Sequence, residues 1–122
     1  MSTVVIDYGS GNLKSAAKAL EAAAKNVNKN SKIIVTSDPK IINQSDKIVL
    51  PGQGSFRDCY LGIKKIPGLD EALNEFVLEK KKPILGICVG MQLFAKTGYE
   101  SQETKGFGWI DAEVRKINNM NK

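Results

Sequence analysis

An α/β fold with a mostly parallel, doubly wound sheet and helices on both of its faces is predicted by three observations. Short apolar runs recur along the chain, helical stretches separate them, and glycine- or proline-containing turns follow them. Strands that reach their neighbours through crossover helices pair in parallel, and strands covered on both faces are apolar throughout rather than alternating. At 122 residues with 42 % hydrophobic content, the chain is expected to form one domain.

The elements follow in order. Thr3-Val4-Val5-Ile6 is continuously apolar and reads as a buried first strand. Leu13 to Lys25 reads as a helix with Leu13, Ala16, Ala17 and Leu20 on one face, entered from Ser10-Gly11-Asn12. Lys32 to Thr36 is a second strand. Asp38-Pro39 has the form of an N-cap followed by proline at the first helical position, opening a short helix through Asn43. Lys47 to Leu50 is a third strand, stopped by Pro51-Gly52. Helices are expected over Ser55 to Ile63 and Leu69 to Lys80, then a strand over Ile84 to Ile87 and a helix over Met91 to Lys96. Gly106 to Ile117 is strand-like, and Asn118 to Lys122 is a polar tail without a core pattern. A doubly wound sheet that stops here leaves an unfinished edge, which invites pairing, so the fold is expected to be incomplete at its C-terminal end.

Charge and cysteine content narrow the function classes. The net charge is +5, and every basic residue except Arg57 and Arg115 is lysine. Lysines spread over helix surfaces serve solubility, whereas arginine is favoured for bidentate phosphate or base contacts. The dense run Lys80-Lys81-Lys82 falls at an expected helix end, where cations complement the helix dipole. No aromatic residues are interleaved with it, as stacking on bases would require, so nucleic-acid binding is not expected. No apolar run approaches membrane-spanning length. Met1-Ser2-Thr3 leads straight into a strand without a secretory pattern, so a cytoplasmic location is the expectation. Cys59 and Cys88 are far apart in sequence and histidine is absent, so neither a metal cluster nor a cofactor is expected.

The most informative stretch runs from Pro83 to Gln92. An apolar strand meets Cys88, with Gly86 and Gly90 two positions either side and a helix behind it. That spacing suits a strand–nucleophile–helix turn, in which small flanking residues avoid collision with a strained nucleophile. The helix would direct amides at the sulfur, and the amide of Val89 would point where an oxyanion forms. The competing reading is an inert cysteine in a tight turn. Leu50-Pro51-Gly52-Gln53-Gly54 follows the third strand, on the same carboxyl edge of the sheet where ligands of such folds bind. Amides near Gly52 and Gln53 are candidate oxyanion donors, and the alternative is an ordinary Pro-Gly turn. Gly9-Ser10-Gly11 invites a dinucleotide reading, which fails because position 14 is lysine. Cys59, Tyr60 and Trp109 read as packing residues.

Together these motifs resemble a known family. Gly86-Ile87-Cys88-Val89-Gly90-Met91-Gln92 resembles the nucleophile signature of class I (triad-type) glutamine amidotransferases, and Leu50 to Gly54 resembles their oxyanion loop. Within that family the opening Ile6-Asp7-Tyr8-Gly9-Ser10-Gly11-Asn12-Leu13 and the stretch Gly106 to Ile110 look like the glutaminase subunits of imidazole glycerol phosphate synthases. The resemblance spans the whole chain and implies a flavodoxin-like sheet.

It also implies roles. Cys88 would attack the side-chain amide of glutamine, releasing ammonia and forming a thioester that water hydrolyses. Gly52 and Val89 would supply oxyanion amides, Gln92 would bond the bound glutamine, and Glu100 would hold its α-amino group. Asn12 would lie near the interface with a (β/α)₈-barrel cyclase that receives the ammonia; read by itself, Asn12 is an N-cap candidate. Family members place a base histidine and its orienting glutamate beyond the matched region, so this chain is expected to be truncated and impaired as a glutaminase when alone. The alternatives are the glutaminase subunit of another synthase, such as that for anthranilate or formylglycinamidine ribotide, and a non-catalytic module that keeps the cysteine turn.

Overall fold

In the computed structural model, residues 1–27, 30–100 and 102–117 are described; the polar tail Asn118 to Lys122 lies outside them. The apolar runs become four parallel strands, β1 (Ser2–Ile6), β2 (Lys32–Thr36), β3 (Lys47–Leu50) and β4 (Ile84–Gly86), in the spatial order β2-β1-β3-β4. Val4 pairs with Ile34 on one side and with Ile48 on the other, and Leu50 pairs with Gly86. This register brings the carboxyl ends of β1, β3 and β4 to one edge.

Alternation along the strands divides the two faces. Val4, Ile6, Ile48 and Leu50 point into one core with Ile42, Phe56, Cys59, Ile63, Leu69, Leu73 and Phe76. These come from α2 (Pro39–Gln44), α3 (Phe56–Lys64), α4 (Leu69–Asn74) and the helical turn after it. Val5 and Val49 point the other way, towards the side of α1 (Leu13–Val27). That helix packs on β1 and β2 and leaves an apolar cleft lined by Leu20, Ala23, Ala24, Ile33, Val49 and Leu85. Leu85 is 55 % exposed there, and among the described residues β4 pairs only with β3.

Several expected elements take their forms from local chemistry. Asp38 caps α2, its Oδ1 accepting from the Lys40 amide at 2.9 Å, with Pro39 at the first helical position. Ser55 caps α3 by accepting from the Asp58 amide at 3.1 Å. The helix expected over Leu69 to Lys80 is instead α4 followed by a π-helical turn, Glu75–Glu79, closed by the Lys80 amide donating to the Glu75 carbonyl at 2.9 Å. Lys81 ends it at φ 54°. The lysine run also serves a different helix from the one expected. Lys80 Nζ donates to the Asn43 carbonyl at 2.6 Å and Lys82 Nζ to that of Ser45 at 2.9 Å, placing two cations at the C-terminus of α2.

The helix expected over Met91 to Lys96 is a correction. Only one turn forms, α5 (Val89–Gln92), and the chain then enters β5 (Ala95–Tyr99). The physical reason lies downstream. Phe107 donates its amide to the Leu93 carbonyl and Ile110 donates to that of Phe94, both at 2.9 Å, so the groups that would extend the helix are claimed by a later segment. That segment supplies β6 (Glu103–Lys105) and β7 (Ile110–Arg115), which flank β5 in a second sheet of order β6-β5-β7, antiparallel on the β6 side and parallel on the β7 side. Phe107 stacks on Trp109 with centroids 4.4 Å apart and meets Tyr60 edge-on at 5.4 Å, while Trp109 Nε1 donates to Asn74 Oδ1 at 2.8 Å.

Candidate active site

Cys88 stands between β4 and α5 at φ 57° and ψ −123°, a backbone conformation that residues with a side chain rarely adopt. Its side chain is exposed, whereas Val89 and Gly90 immediately after it are buried. Sterics explain the flanking glycines. A Cβ at position 86 would lie 2.5 Å from Met91 Cα, and one at position 90 would overlap the Leu50 carbonyl oxygen. The Ile87 amide donates to that same Leu50 oxygen at 3.0 Å, which ties the end of β3 to the turn.

The loop after β3 lies against this turn. A Cβ at Gly52 would sit 2.5 Å from the Gly90 nitrogen and 3.1 Å from the Val89 carbonyl carbon, so only glycine permits the approach. The amides sort themselves by what they already bond. Gly90 donates to Ile87, and Met91 and Gln92 donate to the Cys88 carbonyl, so the amide support expected from the helix narrows to Val89. Gln53, a candidate donor by position, is also committed: its amide donates to Ser10 Oγ at 2.9 Å, and Ser10 Oγ donates back to the Gln53 carbonyl at 2.8 Å. Among the described residues the amides of Gly52 and Val89 meet no protein acceptor.

Residues behind the loop hold it, and sequence reasoning did not find them. Tyr8 is 7 % exposed and its hydroxyl donates to the Pro51 carbonyl oxygen at 2.5 Å. Burial, with Cys59 beside it, pushes the Tyr8 phenol well above its ordinary value. Cys59 is buried in the core as expected, yet its thiol also bonds the Gln53 carbonyl at 3.4 Å and lies 3.3 Å from Ser10 Oγ. No local signal marked them, because Tyr8 and Ser10 lie in a bend beyond β1, with Gly9 at φ 87°, where strand alternation no longer applies.

The remaining predicted residues fall in two places. Gln92 and Glu100 line one cleft with Tyr99, Val114, Arg115 and Lys116. Glu100 is exposed, and its Oε2 accepts from the Phe56 amide at the start of α3 at 3.4 Å. The Arg115 guanidinium lies over the Tyr99 ring at 4.1 Å and pairs with Glu113 at 3.3 Å. Asn12 caps α1, accepting from the Ser15 amide at 3.2 Å. Among the described residues no acidic, histidine or cysteine cluster could hold a metal ion, and no helix is long and apolar enough to cross a membrane.

A cysteine held at positive φ stands at the carboxyl edge of the parallel sheet, and a glycine loop packs against the turn that carries it. The profile of the glutamine amidotransferase class-I family matches residues 4–118, and the chain belongs to that family. More particular likenesses exist within it. The chain is 52 % identical to a protein of Pelagibacter ubique named imidazole glycerol phosphate synthase subunit HisH, a match covering 99 % of this chain and 57 % of that protein. Proteins of the same name from Rhodopseudomonas palustris and Bradyrhizobium diazoefficiens are 50 % and 51 % identical, each match covering 96 % of this chain and 54 % of the relative. The chain thus spans little more than half the length of the curated relatives it matches.

Proposed function

We propose that these residues form part of a single amidotransferase domain that hydrolyses glutamine to glutamate and ammonia for an imidazole glycerol phosphate synthase. The observation that carries this reading is the approach of Gly52 to the Val89–Gly90 peptide beside an exposed Cys88 at positive φ. The three relatives named above, all HisH subunits, support the choice of synthase.

In this reading the Cys88 thiolate adds to the carboxamide carbon of glutamine, and the carbonyl oxygen takes up negative charge between the amides of Val89 and Gly52. Collapse breaks the carbon–nitrogen bond, ammonia leaves with an added proton, and a γ-glutamyl thioester remains. Water then attacks the thioester, the carbon–sulfur bond breaks, and glutamate and the thiolate are released. Gln92 bonds the bound glutamine, and the Glu100 carboxylate faces its α-ammonium. The sequence has no histidine, so the reading assigns removal of the thiol proton to a group outside these residues. Ammonia passes to a (β/α)₈-barrel cyclase partner on the side of the Asn12 loop, in the cytoplasm, and neither a nucleic acid nor a membrane takes part.

The test is alkylation by a ketone analogue of glutamine, followed by peptide mapping. Labelling at Cys88 that glutamine competes away is the expected result. Labelling confined to Cys59 would overturn the assignment.

A further inference from the structure

We infer that the Tyr8 hydroxyl is a positioning group for the oxyanion site, orienting the Gly52 amide through the carbonyl of the residue before it. The inference rests on the glutaminase reading, because it needs Gly52 to serve as a donor.

The geometry is specific. Tyr8 follows β1 on the carboxyl edge of the sheet, and its buried side chain reaches the loop after β3, where the hydroxyl meets the Pro51 oxygen. In a trans peptide the carbonyl and the following N–H point in opposite directions. Fixing the Pro51 oxygen on Tyr8 therefore fixes the Gly52 N–H away from Tyr8 and the core. The proline ring holds φ at position 51, so one hydroxyl contact settles a peptide plane that glycine on the other side would leave free. The loop packs tightly here, since a Cβ at Gly52 would lie 2.9 Å from the Tyr8 hydroxyl and 2.5 Å from the Gly90 nitrogen.

Room for the tyrosine is provided across the core. Gly62 on α3 passes so close that a Cβ there would lie 3.3 Å from Tyr8 Cδ2. Cys59, one turn earlier on α3, bonds the Gln53 carbonyl, two residues further along the loop. The hydroxyl also stays protonated, because burial and Cys59 oppose its ionisation. It therefore acts as a constant donor and takes no proton in the reaction.

The experiment compares two alkylators of Cys88. A ketone analogue of glutamine places a carbonyl oxygen in the oxyanion site, while iodoacetamide requires only the thiolate. At about pH 9.5 an ordinary cysteine thiol is ionised, so labelling needs no base. Tyr8→Phe should slow the maximal analogue rate by about tenfold, below the loss seen when an oxyanion donor is removed outright. Its half-saturating concentration and the iodoacetamide rate should stay unchanged. Gly62→Ala, which presses on the ring, should slow the analogue in the same sense and carries the test if the phenylalanine variant does not fold. A folded variant that keeps the full ratio of analogue to iodoacetamide rate overturns the positioning role. Failure of the unaltered chain to prefer the analogue overturns the glutaminase reading itself, and the inference with it.

Discussion

The Gly90 Cα and the Leu50 carbonyl oxygen are in such close contact that no side chain fits between them. The obstacle is backbone rather than the end of a flexible side chain, so relief requires β3 and the cysteine turn to separate. Gly90→Ala should destabilise the fold by ~1–3 kcal/mol or more, as overpacking against rigid neighbours does. Urea unfolding monitored by Trp109 fluorescence measures it, and an unchanged midpoint would contradict the packing described.

Strain at Cys88 makes a second prediction. A residue with φ 57° and ψ −123° gives up stability that glycine would keep. Cys88→Gly should be more stable than Cys88→Ala by ~1–2 kcal/mol, the usual scale of a sparsely populated backbone conformation. If alanine proves the more stable of the two, the backbone at position 88 is unstrained.

Tyr8 links stability to alkali. Its phenol titrates higher in the folded chain than the ordinary value, through burial and the neighbouring Cys59. A raised value means the folded state holds its proton while the unfolded state loses it. The stability tied to Tyr8 is therefore complete below about pH 10, the ordinary tyrosine value, and falls as pH rises beyond it. Tyr8→Phe should flatten that limb relative to the unaltered chain in unfolding curves taken between about pH 9 and 12. Parallel limbs in the two proteins would remove the linkage.

Glu100 is expected to act on binding alone. One of its oxygens accepts from the Phe56 amide at 3.4 Å, and the residue lines the cleft shared with Gln92. Glu100→Gln should raise the half-saturating concentration of the glutamine analogue by about tenfold, the scale of a lost hydrogen bond to a charged group. The iodoacetamide rate at Cys88 serves as the control. A change in both rates would point to a damaged fold.

What the sequence made legible was whatever backbone sterics enforce locally. Gly86 and Gly90 sit two residues either side of Cys88 because neighbouring backbone leaves no space, and that requirement is written in spacing. The strand Lys32–Thr36 and the cap at Asp38 were equally local. Long-range pairing was not legible. Phe94 to Lys96 looks helical until the Ile110, Gly108 and Gly106 amides claim its carbonyls from beyond position 105. The grip of Tyr8 on Pro51 spans 43 residues, and nothing in either neighbourhood announces it.

The docking of Phe107 and Ile110 onto the end of α5 has a consequence for biogenesis. The end of α5 is closed by polypeptide that leaves the ribosome after it. A nascent chain extruded only as far as Leu93 lacks the amides that close this helix, and the turn into β5 is secured only once the aromatic segment has emerged behind it.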